Sequence, residues 1–300
     1  MCVAELTAQG CYRVTAPEPV GLPGTLFARL LDRSQGRVFV GFDFPIGVPT
    51  AYARLVGSPS FGQLLHQLGR DEFSSFFDVA ACPSEVSPAR PFYPRRPGGS
   101  RRRHLVEGLG VAEFSELLRL CELKTSSRGN ACSLFWTLGG QQVGRATIAG
   151  WRDVLQPALR STSLDVALWP FDGELLPLLK TRQIVVAETY PAEAALHLGL
   201  GAPGRGWSKR SQVDRRLKAG AILRFAEQAG IVLDQGLEQQ LLDGFGAASA
   251  GEDRFDATLG LLSMLNVVLG RRDPGTPPAG EIRSVEGWIL GQECVRQVGE

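Results

Sequence analysis

The chain is poor in the residues that most often announce a mechanism. Of its 300 residues only three are histidine and six are cysteine. His66, His104 and His197 stand far from one another, and Cys2, Cys11, Cys82, Cys121, Cys132 and Cys294 form no Cys-x-x-Cys pair. That spacing argues against the common zinc frameworks, and scattered thiols suit a reducing cytoplasm. No apolar run approaches the roughly 20 residues that a membrane-crossing helix needs, and no signal-peptide pattern opens the sequence, so no membrane role is expected. A formal net charge of +1 gives no global field to attract a polyanion, and any basic surface must be local. No Gly-x-Ser-x-Gly elbow is present, and "GLGAPGRG" at 199–206 lacks both the Gly-Lys-Ser/Thr ending of a P-loop and the dinucleotide fingerprint.

What is there reads as a folded α/β protein. Hydrophobic content of 44% with 21% charged residues allows a sizeable core. "CVAEL" and "YRVT" flank a glycine turn and predict a hairpin within 1–15, a helical spacing of leucines follows over 23–34, and "VFVGFDFPIGVP" at 38–49 reads as a buried strand. From 50 to 180, helical stretches alternate with Pro-, Gly- and Arg-rich loops, which predicts a mostly helical insertion. "RQIVVAETYP" at 182–191 repeats the earlier design of an apolar run leading to an acid and a proline. A short helix, a long amphipathic helix from Ser208, and the nearly all-apolar helix "EDRFDATLGLLSMLNVVLG" come next, and the tail is expected to close with a short strand. The domain reading is a discontinuous core, 1–49 and 181–300, around an insertion at 50–180.

In open α/β sheets, functional side chains collect just outside the carboxyl ends of the strands. Asp43 and Glu188 both occupy that position, and Asp256, in the first turns of a buried helix with Asp253 close by, has the reach to join them. Converging carboxylates repel one another unless cations sit between them, and oxygen-only ligation suits Mg²⁺ or Mn²⁺. Two such ions about 3.5–4 Å apart activate water and stabilise a leaving oxygen in phosphodiester cleavage. The blander account is structural: Asp43 caps a turn, Glu188 pairs with an arginine, and acids early in a helix answer its dipole. Lys209 and Arg215, near the start of the long helix, are candidates for holding substrate phosphate, with a solvated helix face as the alternative. The run Arg95–Arg103 reads as a mobile surface loop or a substrate clamp, and Phe135 and Trp136 in "FWTLGGQQVGR" as core packing or a base-stacking platform.

Five ordered stretches, "VGFDFPIGVP", "VVAETYPAEAALHLGL", "SKRSQVDRRLKAGAILRFAEQAG", "DRFDATLGLLSML" and "EGWI", together resemble the domain of unknown function family numbered 429. Its members are predicted to adopt a ribonuclease-H-like fold and to act as nucleases. The resemblance covers most of the chain. It implies a ribonuclease-H-like mixed sheet flanked by helices, a nucleic-acid partner, and metal-dependent phosphodiester hydrolysis with Asp43, Glu188 and Asp256 as catalytic metal ligands assisted by Asp253. One departure stands out. Ribonuclease-H-like enzymes carry their first catalytic Asp on the opening strand, whereas here no Asp precedes Asp32 and the first acid is Glu5. The expectation is that Met1 lies inside a longer natural chain, that the opening strand is missing, and that the protein as written is weakened or inactive. The alternative is a non-catalytic module that binds nucleic acid or protein on the same fold.

Overall fold

The computed structural model describes residues 1–34, 36–138 and 143–293. Strands β1 (Ala4–Leu6) and β2 (Tyr12–Val14) form the expected hairpin. Helix α1 (Leu26–Arg33) leads to β3 (Val38–Phe42), and α2 (Thr50–Leu55), α3 (Phe61–Gln67) and α4 (Arg103–Leu109) follow among long loops. Helix α5 (Val143–Ala149) runs into a π-helical stretch, Gly150–Leu155, and on into α6 (Gln156–Arg160). Then come β4 (Val166–Leu168), α7 (Leu175–Thr181), β5 (Ile184–Glu188) and α8 (Pro191–His197). The last part holds α9 (Gln212–Gln228), β6 (Val232–Leu233), α10 (Gln235–Asp243) and α11 (Ala250–Val268). Side-chain caps start several of these helices: Ser60 accepts from Gln63 N, Ser211 from Asp214 N, and Asp234 from Leu237 N.

The protein is mixed α/β, with no closed barrel among the described residues. In place of one mixed sheet there are two sheets of three strands: a mixed sheet ordered β1–β2–β6 and a wholly parallel sheet ordered β3–β5–β4. The ladder explains the division. Val38 N donates to Gln183 O and Thr189 N to Phe42 O, so the even residues of β3 face β5, and Phe39 and Gly41 turn their backbone groups the other way. In the hairpin, Thr15 N donates to Val3 O and Thr7 N to Cys11 O, which leaves the amides and carbonyls of Ala4 and Leu6 on the outer side of β1. Each sheet therefore has an unpaired edge, and no described strand bridges the two. Burial follows: all five residues of β5 are buried, whereas the equally apolar β3 is half-buried throughout.

Three apolar clusters hold the molecule together. The largest joins Ile46 and Val48, from the turn after β3, to Phe61, Phe76, Phe92, Phe135 and Trp151 from 50–180. Burying each such side chain contributes about 1.5–3 kcal/mol. The second packs α8, α9, α10 and α11 against β2, and the third lies around β5 with Trp169, Met264 and Trp288. Strand β4, from within 50–180, completes the parallel sheet, so sheet and main core both draw on that stretch. Phe135 belongs to the core, while 139–142 of the "FWTLGGQQVGR" segment and Cys294 lie outside the described residues. The expected closing strand of the tail is instead a π-helical turn, Ile282–Glu286, followed by a single parallel bridge from Ile289 to Glu188. Among the described residues no helix is long and apolar enough to cross a membrane, and Cys2, Cys11, Cys82, Cys121 and Cys132 are all free thiols.

Candidate functional site

Asp43 is the first residue past β3, and Glu188 is the last residue of β5, its register partner being Phe42. Helix α11 crosses these strand ends. A Cβ on Gly41 would lie 2.4 Å from Met264 Sδ, and one on Gly260 3.3 Å from Thr189 Oγ1. Asp256, Gly260 and Met264 are spaced four apart and so share one helix face. That face lies on the ends of β3 and β5, and it carries Asp256 to Asp43.

Asp43 is exposed to solvent at one side and densely surrounded by protein on the others, and it is this surrounding that acts as burial on its carboxyl. Burial pushes its carboxyl up to about 7, the negative charge of Asp256 adds to the rise, and Lys209 opposes it, with Glu188 and Asp253 contributing further repulsion. Asp256 is raised to about 6, chiefly by burial and against the pull of Lys209. Asp256, Lys209, Glu188 and Asp253 thus all act on Asp43. Their bonding differs sharply from one to the next.

Glu188 is fully engaged. Arg119 grips it as a fork, Nη1 to Oε2 at 2.7 Å and Nη2 to Oε1 at 2.6 Å, and Ile46 N donates to Oε2 at 2.7 Å. The guanidinium is itself buried and donates from Nε to Glu122 Oε1 at 2.9 Å and from Nη1 to the carbonyl of Glu286 at 3.0 Å. Glu188 therefore holds the turn that begins at Asp43, in place of the metal-ligand role expected for it. Sequence reasoning allowed Glu188 an arginine partner without finding it, because Arg119 lies 69 residues away in a loop with no recognisable motif. Glu286, also missed, accepts from Thr50 N, Thr50 Oγ1 and Leu120 N and ties the tail to the same turn.

Lys209 Nζ donates to Asp256 Oδ2 at 2.5 Å, so its charge is spent on the site's own carboxylate. Arg215, expected to bind substrate, is buried with every outlet taken: Nε donates to Gly244 O, Nη1 to Lys209 O and Nη2 to Gly246 O. It holds the Lys209 loop in place and faces no opening. A Cβ on Gly251 would sit 2.7 Å from Arg215 Nη2, so the start of α11 is pressed onto the same guanidinium. Asp253 is exposed one turn before Asp256.

The acceptors left over are few. Asp256 Oδ1 is buried without a hydrogen-bond partner, and neither carboxylate oxygen of Asp43 is bonded within the described residues. Among the described residues no group of three His, Cys, Asp or Glu side chains is arranged to hold a metal ion. With Glu188 occupied, a three-acid or two-ion centre does not fit this donor set. Two carboxylates with free oxygens do fit one hard cation of the Mg²⁺ kind, which keeps several waters and binds through one or two acids plus substrate oxygens.

Compared with family models, curated proteins and solved structures, the chain gives no match.

Proposed function

We propose that the protein hydrolyses phosphodiester bonds of nucleic acid at the Asp43–Asp256 pair with the help of Mg²⁺ or Mn²⁺. The observation that carries this reading is the orphaned, buried Oδ1 of Asp256 near the raised carboxyl of Asp43, two acids from a strand end and a helix of which Lys209 engages only Asp256 Oδ2. A divalent ion bound there would polarise the phosphorus–oxygen bond and supply an activated water. Lys209 fixes Asp256 through Oδ2 and leaves Oδ1 without a partner. The Arg119–Glu188 pair, through Ile46 N, fixes the turn that presents Asp43. The test is cleavage of a labelled oligonucleotide with Mn²⁺ or Mg²⁺: activity that disappears in Asp43→Asn and Asp256→Asn supports the reading, and activity untouched by both substitutions removes it.

A second reading, a non-catalytic module binding nucleic acid or protein, draws support from the neutralised Glu188 and from the lack, among the described residues, of a third acid arranged to hold a metal ion. Binding of nucleic acid without metal-dependent cleavage by the wild-type chain would favour it.

A further inference from the structure

Hydrolysis at Asp43 leaves unused one strongly charged concavity on the 50–180 stretch. Ala80 N donates to Phe92 O and Arg95 N to Ala80 O, both at 2.8 Å, which lays the segment 90–95 alongside 78–80. Arg90 Nη2 adds a bond to Val79 O at 3.2 Å. Opposite them, α5 and its π-helical continuation carry Arg145, Ile148 and Arg152 at helical spacing, one face of the element. Between the two walls is a hollow of about 610 Å³ in which four guanidinium groups, those of Arg90, Arg95, Arg145 and Arg152, meet a single carboxylate, Asp78. Arg152 and Asp78 also border a second hollow of about 270 Å³ that adds Arg70 and Arg160.

Internal partners meet only part of this charge. Arg152 forks onto Asp153 at 2.8 and 3.0 Å, and Arg90 pairs with Glu85 at 3.1 Å while its Nε is buried with no acceptor. The side chains of Arg70, Arg95 and Arg145 bond to no described residue. A chain of net charge +1 has therefore concentrated unpaired arginines in adjoining hollows. Guanidinium forks match phosphate oxygens two at a time, and the apolar walls of Val79 and Ile148 between them suit sugar and base surface.

We propose that this arginine-lined hollow binds the sugar–phosphate backbone of a single nucleic-acid strand. That the polyanion is nucleic acid rests on the hydrolytic reading; the preference for phosphate rests on the arginines alone. Gly150, next to the arginine-bearing face, sits so close to Phe44 that a Cβ would lie 2.3 Å from the ring, and Trp151 Nε1 donates to Pro45 O at 2.8 Å. A strand held in the hollow is thus held on the same element that buttresses the Asp43 turn.

The experiment is fluorescence anisotropy of a labelled single-stranded oligonucleotide, in EDTA, over a range of salt. Wild-type protein should bind with a steep salt dependence. Replacing Arg95 and Arg145 together by Ala should weaken binding about tenfold or more and flatten the log–log salt slope by roughly 1.4, since each single-strand phosphate contact contributes about 0.7. Asp78→Asn should tighten binding, an effect that a folding defect does not produce. Unaltered affinity and slope in the double variant would overturn the proposal. So would complete displacement by inorganic tripolyphosphate at equal phosphate concentration, or a stronger arginine-dependent attachment to anionic phospholipid vesicles. Binding without cleavage removes the hydrolytic reading and keeps this one, and cleavage unaffected by the double variant does the reverse.

Discussion

Arg119 and Glu188 meet fork to fork, both oxygens of the carboxylate within 2.7 Å of a guanidinium nitrogen, in a place that water does not reach. A buried pair of this kind is costly to break, because removing one partner strands the other charge. Arg119→Ala should lower unfolding stability by about 3–5 kcal/mol. Arg119→Lys should rescue little of it, since an ammonium cannot reproduce the planar fork. Urea unfolding of the three proteins measures both statements.

Stability should also depend on pH through the two raised carboxyls. Asp43 and Asp256 hold their protons more tightly in the folded state, about 7 and about 6, than in the unfolded chain, about 3.9. Their contribution to stability is therefore fully present below the unfolded value and is lost as pH rises through 6 and 7. The difference in stability between wild type and Asp43→Asn, followed from pH 4 to pH 8, should move against the wild type as pH rises. A difference that stays flat over that window would show that the Asp43 carboxyl is not raised.

Cations should relieve the same repulsion. At pH 8, millimolar Mn²⁺ or Mg²⁺ should raise the melting temperature of the wild type, by mass action on the folded state. Asp256→Asn should abolish the rise and Asp253→Asn should reduce it only slightly, because Asp253 is exposed and one turn removed. Calorimetric melts with and without EDTA read this without any need for activity.

Gly47 closes the turn that Asp43 opens. Its φ is 135°, and a Cβ there would lie 2.1 Å from the carbonyl oxygen of Glu286. Gly47→Ala should cost about 2–4 kcal/mol, combining backbone strain with a clash that main chain cannot evade. Loss of cleavage well below the denaturation midpoint would show that the turn also positions Asp43.

Much of this was legible in the sequence. Asp43 and Glu188 stand at the ends of apolar runs, which marks them as strand-end acids, whereas the approach of Asp256 depends on α11 packing across those ends at Gly260 and Met264. The bonding was not legible. Whether Glu188 is a ligand or a clamp depends on Arg119, and nothing local to "LLRLCEL" signals that its arginine will be swallowed whole. Arg215 looks like a surface cation on an amphipathic helix, and only the return of the chain at Gly244 and Gly246 shows it capped by carbonyls. The short strands β4 and β6 escaped notice because two or three residues carry no period. A single mixed sheet was expected because the family resemblance implies one, and pairing between β1 and β3 is a long-range property that composition does not encode.

The bare flank of β3 has a practical consequence. Five residues reading Val-Phe-Val-Gly-Phe with the amides and carbonyls of Phe39 and Gly41 idle are adhesive, ready to zip onto any stretched polypeptide, a sister molecule included. Soluble yield, more than turnover, is then the property that concentration will erode first. A gatekeeping lysine in place of Val38 should restore it, leaving the acids beyond the strand's far end undisturbed.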